Sequence, residues 1–474
     1  MKSIFIFLLV LSMINLVYMF VLNSMYILTS ILSFGALRKY ARRLKSVNIE
    51  YLLTSAGAPP ITVIVPSYNE ESTCVESIRS LLNLQYPEYE VMVVNDGSKD
   101  QTLQRLIDAY ELEPAYRTPL SNIKTQEIQT VYRSMKFSNL WVIDKDNGGK
   151  ADALNAGINM CQTPLFCAID ADSLLEQDAL LRVVRPYLEE SQTVAVGGII
   201  RIANGCEISG GVVHQVRLPK TWLARFQALE YLRSFLSGRM GWSVLGGTLI
   251  ISGAFGLFKR SLIVEIGGYE TNTVGEDMEL IVRLHRHCLE KKQPYEIAFI
   301  PDPVAWTECP EDMHILANQR DRWQRGLMEA IWKHRVMFFN PRYGRIGLLA
   351  YPYYFFLEML GPAIELTGYI SIIITALLGM LSGSFLMAFF LVAFVYGSIV
   401  SIFAIALEEL TFRRYLHLKD LLILIFASLL ESLGYRQLLT LWRARGMWRK
   451  LTGQAQHWGK MQRKGFGAIS SSKT

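Results

Sequence analysis

Two long stretches without a charged residue limit what this chain can fold into more than any other feature. They run from Ser3 to Leu37 and from Leu366 to Leu407. A helix rises ~1.5 Å per residue, so each stretch is long enough to exceed the ~30 Å hydrocarbon core of a bilayer. The first predicts either one long helix or two short ones. The second is interrupted at residues 382–384 and predicts a hairpin.

Composition agrees with a protein that is partly embedded in lipid. Hydrophobic residues make up 51% of the chain and charged residues 19%, which is too apolar for a wholly soluble enzyme and too charged for a pure membrane bundle. The net charge of +6 is modest and gives no reason to expect nucleic acid as a partner. The six cysteines lack C-x-x-C spacing, which argues against a zinc site or a disulfide framework.

Basic residues flank the apolar stretches. They are Arg38, Lys39, Arg42, Arg43 and Lys45 after the first, Arg345 before the second, and Arg413, Arg414 and Lys419 after it. Because positive charge marks the cytosolic side of a membrane protein, we expect an integral membrane protein whose soluble part and basic tail are cytosolic.

Between the apolar stretches, strand and helix patterns alternate. Strands are predicted at Thr62–Val65, Glu90–Val94, Leu140–Ile143 and Leu165–Ile169, and helices at Glu71–Leu82, Gln101–Tyr110 and Ala151–Met160. This alternation predicts an α/β domain with a parallel, doubly wound sheet, in which ligands bind beyond the carboxyl ends of the strands.

Five segments follow from these patterns. They are an N-terminal transmembrane segment (1–37), an α/β domain (59–335), interfacial helices (336–358), a transmembrane hairpin (359–407), and an interfacial or re-entrant segment with a basic cytosolic tail (408–474). The apolar run from Leu421 to Leu430 is too short to span a bilayer. Glu358 and Glu365 share one helix face near the membrane, where they line a polymer path or lie at the lipid interface.

Acidic side chains stand at the predicted strand ends, and the pair Asp170 and Asp172 forms a D-x-D pattern. Two carboxylates suit Mg²⁺ or Mn²⁺ bound against a diphosphate, because hard cations prefer oxygen ligands. The alternative is that these residues cap a helix that begins near Leu175.

Downstream, Gln319 to Trp323 reads Q-x-x-R-W. Six further motifs precede it: residues 65–70 (VPSYNE), 95–98 (NDGS), 149–155 (GKADALN), 170–172 (DAD), 252–254 (SGA) and 275–277 (GED). Together they resemble the processive family 2 glycosyltransferases of the GT-A fold, which include bacterial cellulose, hyaluronan and poly-N-acetylglucosamine synthases.

The resemblance implies a role for each motif residue. Asp277 is the expected catalytic base, although its position also suits a charge at a helix N-terminus. Asp172, with Asp170, is expected to ligate the metal. The expected donor contacts are Tyr68, Glu70, Asp96, Lys150, Asp170, Gln319 and Arg322. The resemblance implies that Tyr68 and Glu70 border the nucleoside and that Asp96 bonds the uracil ring. It also implies that Lys150, Gln319 and Arg322 contact the diphosphate. The expected acceptor contacts are Trp323, Glu276, Ser252 and Gly253.

The resemblance also implies an activity and partners. The expected enzyme is an inverting hexosyl- or N-acetylhexosaminyltransferase of the bacterial inner membrane. It would use a UDP-sugar to elongate a β-linked polysaccharide, coupled to translocation of the growing glycan. Because the spans are few, an accessory subunit or a homo-oligomer would complete the conduit. The alternative is a non-processive transferase that adds one sugar to a lipid or short acceptor.

Cysteine labelling tests the predicted topology. In intact cells, a cysteine that replaces Gly383 should react with a membrane-impermeant reagent, because the hairpin turn faces outside. A cysteine that replaces Lys450 should react only after permeabilisation, because the charge asymmetry places the tail in the cytosol. Labelling of position 450 in intact cells would mean that the segment after residue 420 crosses the bilayer.

Overall fold

The computed structural model describes residues 2–44, 57–412 and 417–454. The predictions that concern Lys45, Arg413, Arg414 and the tail after Gln454 lie outside the described residues. The chain divides into two compact units. An α/β unit comprises residues 43–217 and 248–308, and a helical unit comprises residues 1–42, 218–247 and 309–461.

Helices occur in both units. In chain order they are α1 (Lys2–Leu44), α2 (Cys74–Leu82), α3 (Thr102–Tyr110), α4 (Lys150–Met160), α5 (Ala179–Val183), α6 (Arg185–Glu189), α7 (Trp222–Tyr231), α8 (Met240–Val244), α9 (Arg260–Glu265), α10 (Glu276–Glu290), α11 (Met313–Lys333), α12 (Tyr351–Tyr353), α13 (Gly361–Leu377), α14 (Gly383–Phe390), α15 (Gly397–Thr411), α16 (Leu418–Leu430) and α17 (Arg436–Leu451). Wider π-helical turns occupy Leu232–Arg239, Ile346–Ala350, Tyr354–Met359 and Leu391–Tyr396, and a kink at Leu433 and Gly434 separates α16 from α17.

The strands all belong to the α/β unit. They are β1 (Ile61–Ser67), β2 (Tyr89–Asp96), β3 (Leu112–Pro114), β4 (Ile128–Ser134), β5 (Leu140–Lys145), β6 (Leu165–Ile169), β7 (Ser173–Leu175), β8 (Thr193–Ile202), β9 (Glu207–Ser209), β10 (Val212–Gln215), β11 (Phe255–Lys259) and β12 (Glu296–Thr307). Strands β9 and β10 form a separate hairpin, and the others form one sheet in the order β3-β4-β5-β2-β1-β6-β11-β8-β12-β7.

The sheet is mixed, whereas the sequence predicted a parallel one. The four predicted strands β5, β2, β1 and β6 do lie parallel, side by side. Strands β4 and β11 pair antiparallel with the two edges of this parallel block. Strands of the block, such as Ile61–Ser67, are nearly continuous apolar runs because helices cover both faces of a parallel sheet.

A buried lysine fixes the end of the parallel block. Asp96 and Lys145 are register partners at the ends of β2 and β5. The Lys145 ammonium lies 2.6 Å from Asp96 Oδ1 and 2.7 Å from Asp152 Oδ1, and its side chain is fully buried. The ion triad therefore ties the ends of two strands to the first turn of α4.

The loop from Asn147 to Gly149 is held by the same carboxylate. The amides of Gly148 and Gly149 donate to Asp96 Oδ1 (3.0 Å) and Oδ2 (2.8 Å). Gly149 has φ of 88°, a region that favours glycine, and a Cβ on Gly148 would lie 2.5 Å from Asp152 Cγ. The glycines let the backbone approach Asp96 and Asp152 closely, and these contacts fix the position of the first turn of α4.

In the helical unit, polar side chains of α1 bond to other helices. Ser12 Oγ lies 2.8 Å from Ser371 Oγ, and Asn15 Nδ2 donates to the Ile364 carbonyl oxygen at 3.0 Å. A Cβ on Gly368 would lie 2.0 Å from Asn15 Cγ, so the two helices meet where one lacks a side chain. Small residues and interhelical hydrogen bonds of this kind hold helices together in lipid.

Three helices of the described residues are long and apolar enough to cross a membrane: Ile6–Arg42, Ile346–Leu377 and Gly383–Thr411. The first apolar stretch thus forms one long helix rather than two short ones. Helix α16 is shorter, and its Leu424 and Ala427 pack against Leu229 of α7 and Ile405 of α15.

Replacement of Lys145 by methionine tests the ion triad. Two buried carboxylates would lose the charge that compensates them, which should destabilise the protein by about 3–5 kcal/mol. We expect a clear fall in the thermal midpoint of the purified protein. Lys136→Met, on an exposed side chain, is the control and should change it little. Equal midpoints for the two variants would contradict the proposed role of the triad.

Candidate active site

The D-x-D residues lie beyond the carboxyl end of β6. After them comes strand β7, which pairs antiparallel with β12, and the next helix begins only at Ala179 after Asp178. The helix expected near Leu175 is therefore absent, and the capping alternative for Asp170 and Asp172 is wrong. Burial, together with repulsion from the nearby Asp170, raises the pKa of Asp172 to about 7.

Lys150 opens α4 and lies among acidic groups. Its ammonium is 2.5 Å from Asp170 Oδ1 and 3.5 Å from Glu276 Oε1, and it donates to the Gly253 carbonyl oxygen at 3.3 Å. Burial by itself would lower the pKa of Lys150, but the two carboxylates outweigh burial and hold the pKa above its ordinary value. The lysine is therefore a fixed cation beside the D-x-D pair.

Asp277 lies in the first turn of α10. Its Oδ2 accepts from the Gly253 amide at 3.1 Å and its Oδ1 from the Met278 amide at 2.8 Å. A Cβ on Gly253 would lie 2.8 Å from the Lys150 ammonium. Ser252 precedes this glycine in the same turn and is half-buried. The turn therefore connects the expected base to the expected diphosphate contact.

Asp96 accepts more hydrogen bonds from the protein than its expected role as a contact of the uracil ring would lead one to expect. It is buried, and its carboxylate accepts from the Lys145 ammonium, the Asn147 side-chain amide and the amides of Gly148 and Gly149. The uracil contact stays a prediction. What the structure shows is an anchor for the loop that leads into Lys150.

Tyr68 and Glu70 follow β1 at the same edge of the sheet. Tyr68 is exposed, whereas Glu70 Oε2 accepts from the Thr73 hydroxyl at 2.9 Å. Asn69 between them has φ of 55°, a left-handed conformation that turns the chain sharply at the strand end. The exposed tyrosine ring is consistent with a nucleoside contact, which remains a prediction.

The Q-x-x-R-W residues belong to helix α11 of the helical unit. Asp312 caps this helix by accepting from the amides of His314 and Ile315. Trp323 is 45% exposed, and the guanidinium of Arg320 lies over its ring at 4.2 Å from the centroid. One face of the indole is thus covered by an arginine, a cation–π contact.

Lys145 and Asp152 were not identified from the sequence as site residues. A lysine at the end of an apolar strand is unusual, because a buried ammonium needs anionic partners. Asp152 supplies one from the first turn of the following helix. This pairing of a strand-end lysine with an acid seven residues later was the available signal.

A metal ion fits the site by its donor chemistry. The described residues contain no group of three or more His, Cys, Asp or Glu side chains arranged to hold a metal. The D-x-D pair offers two carboxylates, and Mg²⁺ is often bound by one or two carboxylates together with phosphate oxygens of a substrate. Asp172, with Asp170, would therefore hold a divalent ion that the donor helps to bind.

Residues 59–326 match the family described as "Glycosyltransferase like family 2". The chain is 29% identical over 271 residues to the poly-beta-1,6-N-acetyl-D-glucosamine synthase of Staphylococcus epidermidis, and 27% identical over 272 residues to that of Staphylococcus aureus strain COL. Each match covers 57% of this chain and 55% of the relative, so the chain matches about half the length of these synthases.

Among solved structures, the mannosyltransferase PcManGT from Pyrobaculum calidifontis, in complex with GDP-Man and Mn²⁺, is similar. The alignment covers 88% of this chain and 99% of that one, with a TM-score of 0.52 and 20% identity, which supports the fold alone. The expected fold class, an α/β GT-A domain with helices of transmembrane length, is confirmed. With more than half of its residues matched, the chain belongs to the glycosyltransferase family 2.

Proposed function

We propose that the protein is an inverting, membrane-embedded N-acetylhexosaminyltransferase that elongates a β-linked polysaccharide from a UDP-sugar. The observation that supports it most is the cluster of Lys150, Asp170 and Asp277 around Gly253, because it combines a cation, a metal-type acid and a base-type acid at one sheet edge. The relatives that synthesise poly-β-1,6-N-acetyl-D-glucosamine favour UDP-N-acetylglucosamine as the donor.

Inversion at the anomeric carbon needs one base and no covalent intermediate. Asp277 accepts the proton of the acceptor hydroxyl while that oxygen attacks C1 of the sugar, and the C1–O bond to the nucleotide diphosphate breaks in line. The Gly253 amide orients the base through its bond to Oδ2. The other carboxylate oxygen accepts from the Met278 amide, so two backbone hydrogen bonds hold the orientation of the carboxylate.

The leaving diphosphate needs positive charge near it. Lys150 supplies one cation, and its raised pKa keeps it protonated. A divalent ion on Asp172 and Asp170, when bound, would neutralise further charge on the leaving group. Arg322 and Gln319 are proposed to bind the diphosphate as well, since a guanidinium fork matches phosphate oxygens. Trp323 is proposed to stack on the acceptor sugar.

The cellular setting is part of the proposal. The soluble domain and the basic tail would face the cytosol, where nucleotide sugars are made, and the three apolar helices would lie in the bacterial inner membrane. The growing chain would pass through these helices together with those of an accessory subunit or a second copy. A single-sugar transferase remains the second candidate, because the donor site would be the same.

A panel of radiolabelled nucleotide sugars tests the proposal. Purified membranes that contain the protein should form a product with one UDP-sugar, with UDP-N-acetylglucosamine the first to try. Product length at limiting enzyme then separates the candidates. Long chains beside unused primer indicate a processive synthase, a single added sugar indicates the second candidate, and no product with any sugar contradicts both.

Asp277→Asn tests the base. Transfer should fall by roughly 10²–10⁴-fold, because an amide cannot accept the proton, while the Kd for UDP changes little. The control is Glu290→Gln at the far end of α10, where the carboxylate pairs with Arg286. Full activity of Asp277→Asn would move the base elsewhere, with Glu276 the first candidate.

Chelation tests the metal. Activity should require Mg²⁺ or Mn²⁺ and should vanish with EDTA, because the two carboxylates and the diphosphate would otherwise repel each other. Asp172→Ala should weaken UDP binding in the presence of metal and leave binding without metal unchanged. If wild-type protein binds UDP equally well with and without EDTA, the metal role of Asp170 and Asp172 is wrong.

A further inference from the structure

Helix α11 has two faces with different surroundings. Gln319, Arg322 and Trp323 are spaced i, i+3 and i+4, so they share one face. Asp321 and Gln324 point elsewhere and are buried. The motif therefore places three residues with proposed substrate contacts on one side of the helix, and the opposite side is packed within the helical unit.

Arginines of the basic helix α17 contact the buried face. Asp321 Oδ2 accepts from Arg445 Nε at 3.2 Å and from Arg449 Nη1 at 2.8 Å. Arg443 Nε donates to Gln324 Oε1 at 2.9 Å. One carboxylate inside the motif is thus bonded by two arginines that lie more than a hundred residues later in the chain.

The two helices are also unusually close at this point. A Cβ on Gly446 would lie 2.7 Å from the Asp321 carbonyl oxygen and 3.0 Å from its Cα. A glycine in a helix interior costs stability relative to alanine, so its presence here is explained by the close approach. Backbone packing and two charge-assisted hydrogen bonds therefore fix the same turn of α11.

The segment before α17 fixes a neighbouring motif residue. Arg320 Nη2 donates to Glu230 Oε2 at 2.8 Å, and the Tyr435 hydroxyl donates to the same oxygen at 3.0 Å. Arg320 in turn covers one face of Trp323. Because Arg320 lies over one face of this exposed indole, a sugar that stacks on Trp323 would use the opposite face.

We propose that α17 is a positioning element for the Q-x-x-R-W helix, with Asp321, Arg445 and Arg449 as positioning residues for acceptor binding. The proposal rests on the proposed function of Trp323. The family match ends at residue 326, so it includes Asp321 and does not include α17. By its chemistry the contact is an ionic clamp that orients the motif and touches no substrate.

The test compares Asp321→Asn with a control on the same two helices. Lys450→Gln removes the ion pair between Lys450 and Glu329, which also joins α17 to α11 but lies beyond the motif. Full-length protein in nanodiscs is assayed with the nucleotide sugar that gives product in the panel. A chitooligosaccharide serves as the acceptor probe, and amide hydrogen exchange of α11 is followed by mass spectrometry.

Asp321→Asn should speed hydrogen exchange around residues 319–323 and lower kcat/KM for the acceptor by about 10- to 100-fold, the effect of a small displacement of a binding group. The change should appear in the acceptor KM, which a smaller fraction of folded enzyme cannot alter. Asp321→Glu should restore much of it, and Lys450→Gln should match wild type. If Asp321→Asn does not fold, Arg449→Gln, on a half-exposed side chain, takes its place.

Unchanged acceptor KM in an active protein overturns the proposal, whether or not exchange increases. Equal effects of Asp321→Asn and Lys450→Gln also overturn it, because the contact would then only stabilise the helix pair. A wild-type protein without product from any nucleotide sugar contradicts the proposed function instead. In that case amide hydrogen exchange of α11 is the remaining test. Unchanged exchange in Asp321→Asn refutes the ionic clamp, and faster exchange confined to residues 319–323 supports it.

Discussion

The buried ammonium of Lys145 is the interaction on which the α/β unit most depends. Removing an ammonium from water is very unfavourable unless anions compensate it, and here Asp96 and Asp152 both lie within 2.7 Å. These acids come from β2 and α4, and the lysine from β5. The charge requirement therefore fixes three elements at once, at the edge of the sheet where the donor is proposed to bind.

The cluster around Lys150 contains the same residue types as the Lys145 triad, but it is partly exposed to solvent. Lys150 is bonded to Asp170 as Lys145 is to Asp96, but its side chain and that of Asp170 keep 21% and 32% of their exposure. A fully buried triad cannot exchange partners without an uncompensated charge. The partly exposed pair can do so more readily, which suits the proposed role of Lys150 beside a diphosphate. The degree of burial therefore distinguishes the two lysines: Lys145 has a structural role, and Lys150 is the one proposed to contact a substrate.

The sequence predicted the parts of the fold that depend on residues close together in the chain. Four apolar runs became the parallel block, and the D-x-D pair lies at its edge, because buried strands need continuous apolar residues. Among the antiparallel strands, β4 was missed because it is half-exposed and polar. The role of Asp321 could not be predicted, because only the fold brings its partners Arg445 and Arg449 close to it.

The helical unit shows why such distant partners matter. A helix in lipid gains little from burying apolar side chains, so its position is fixed by polar contacts and close packing. Asn15 and Gly368 do this between α1 and α13, which belong to the helices of transmembrane length. Asp321 and Gly446 make a similar contact between α11 and α17, which lie outside those helices. In both pairs a glycine removes the side chain that would keep the helices apart, and a polar group then bonds across the contact. The geometry of Q-x-x-R-W is therefore set by residues outside the motif, and the motif alone does not determine where its tryptophan points.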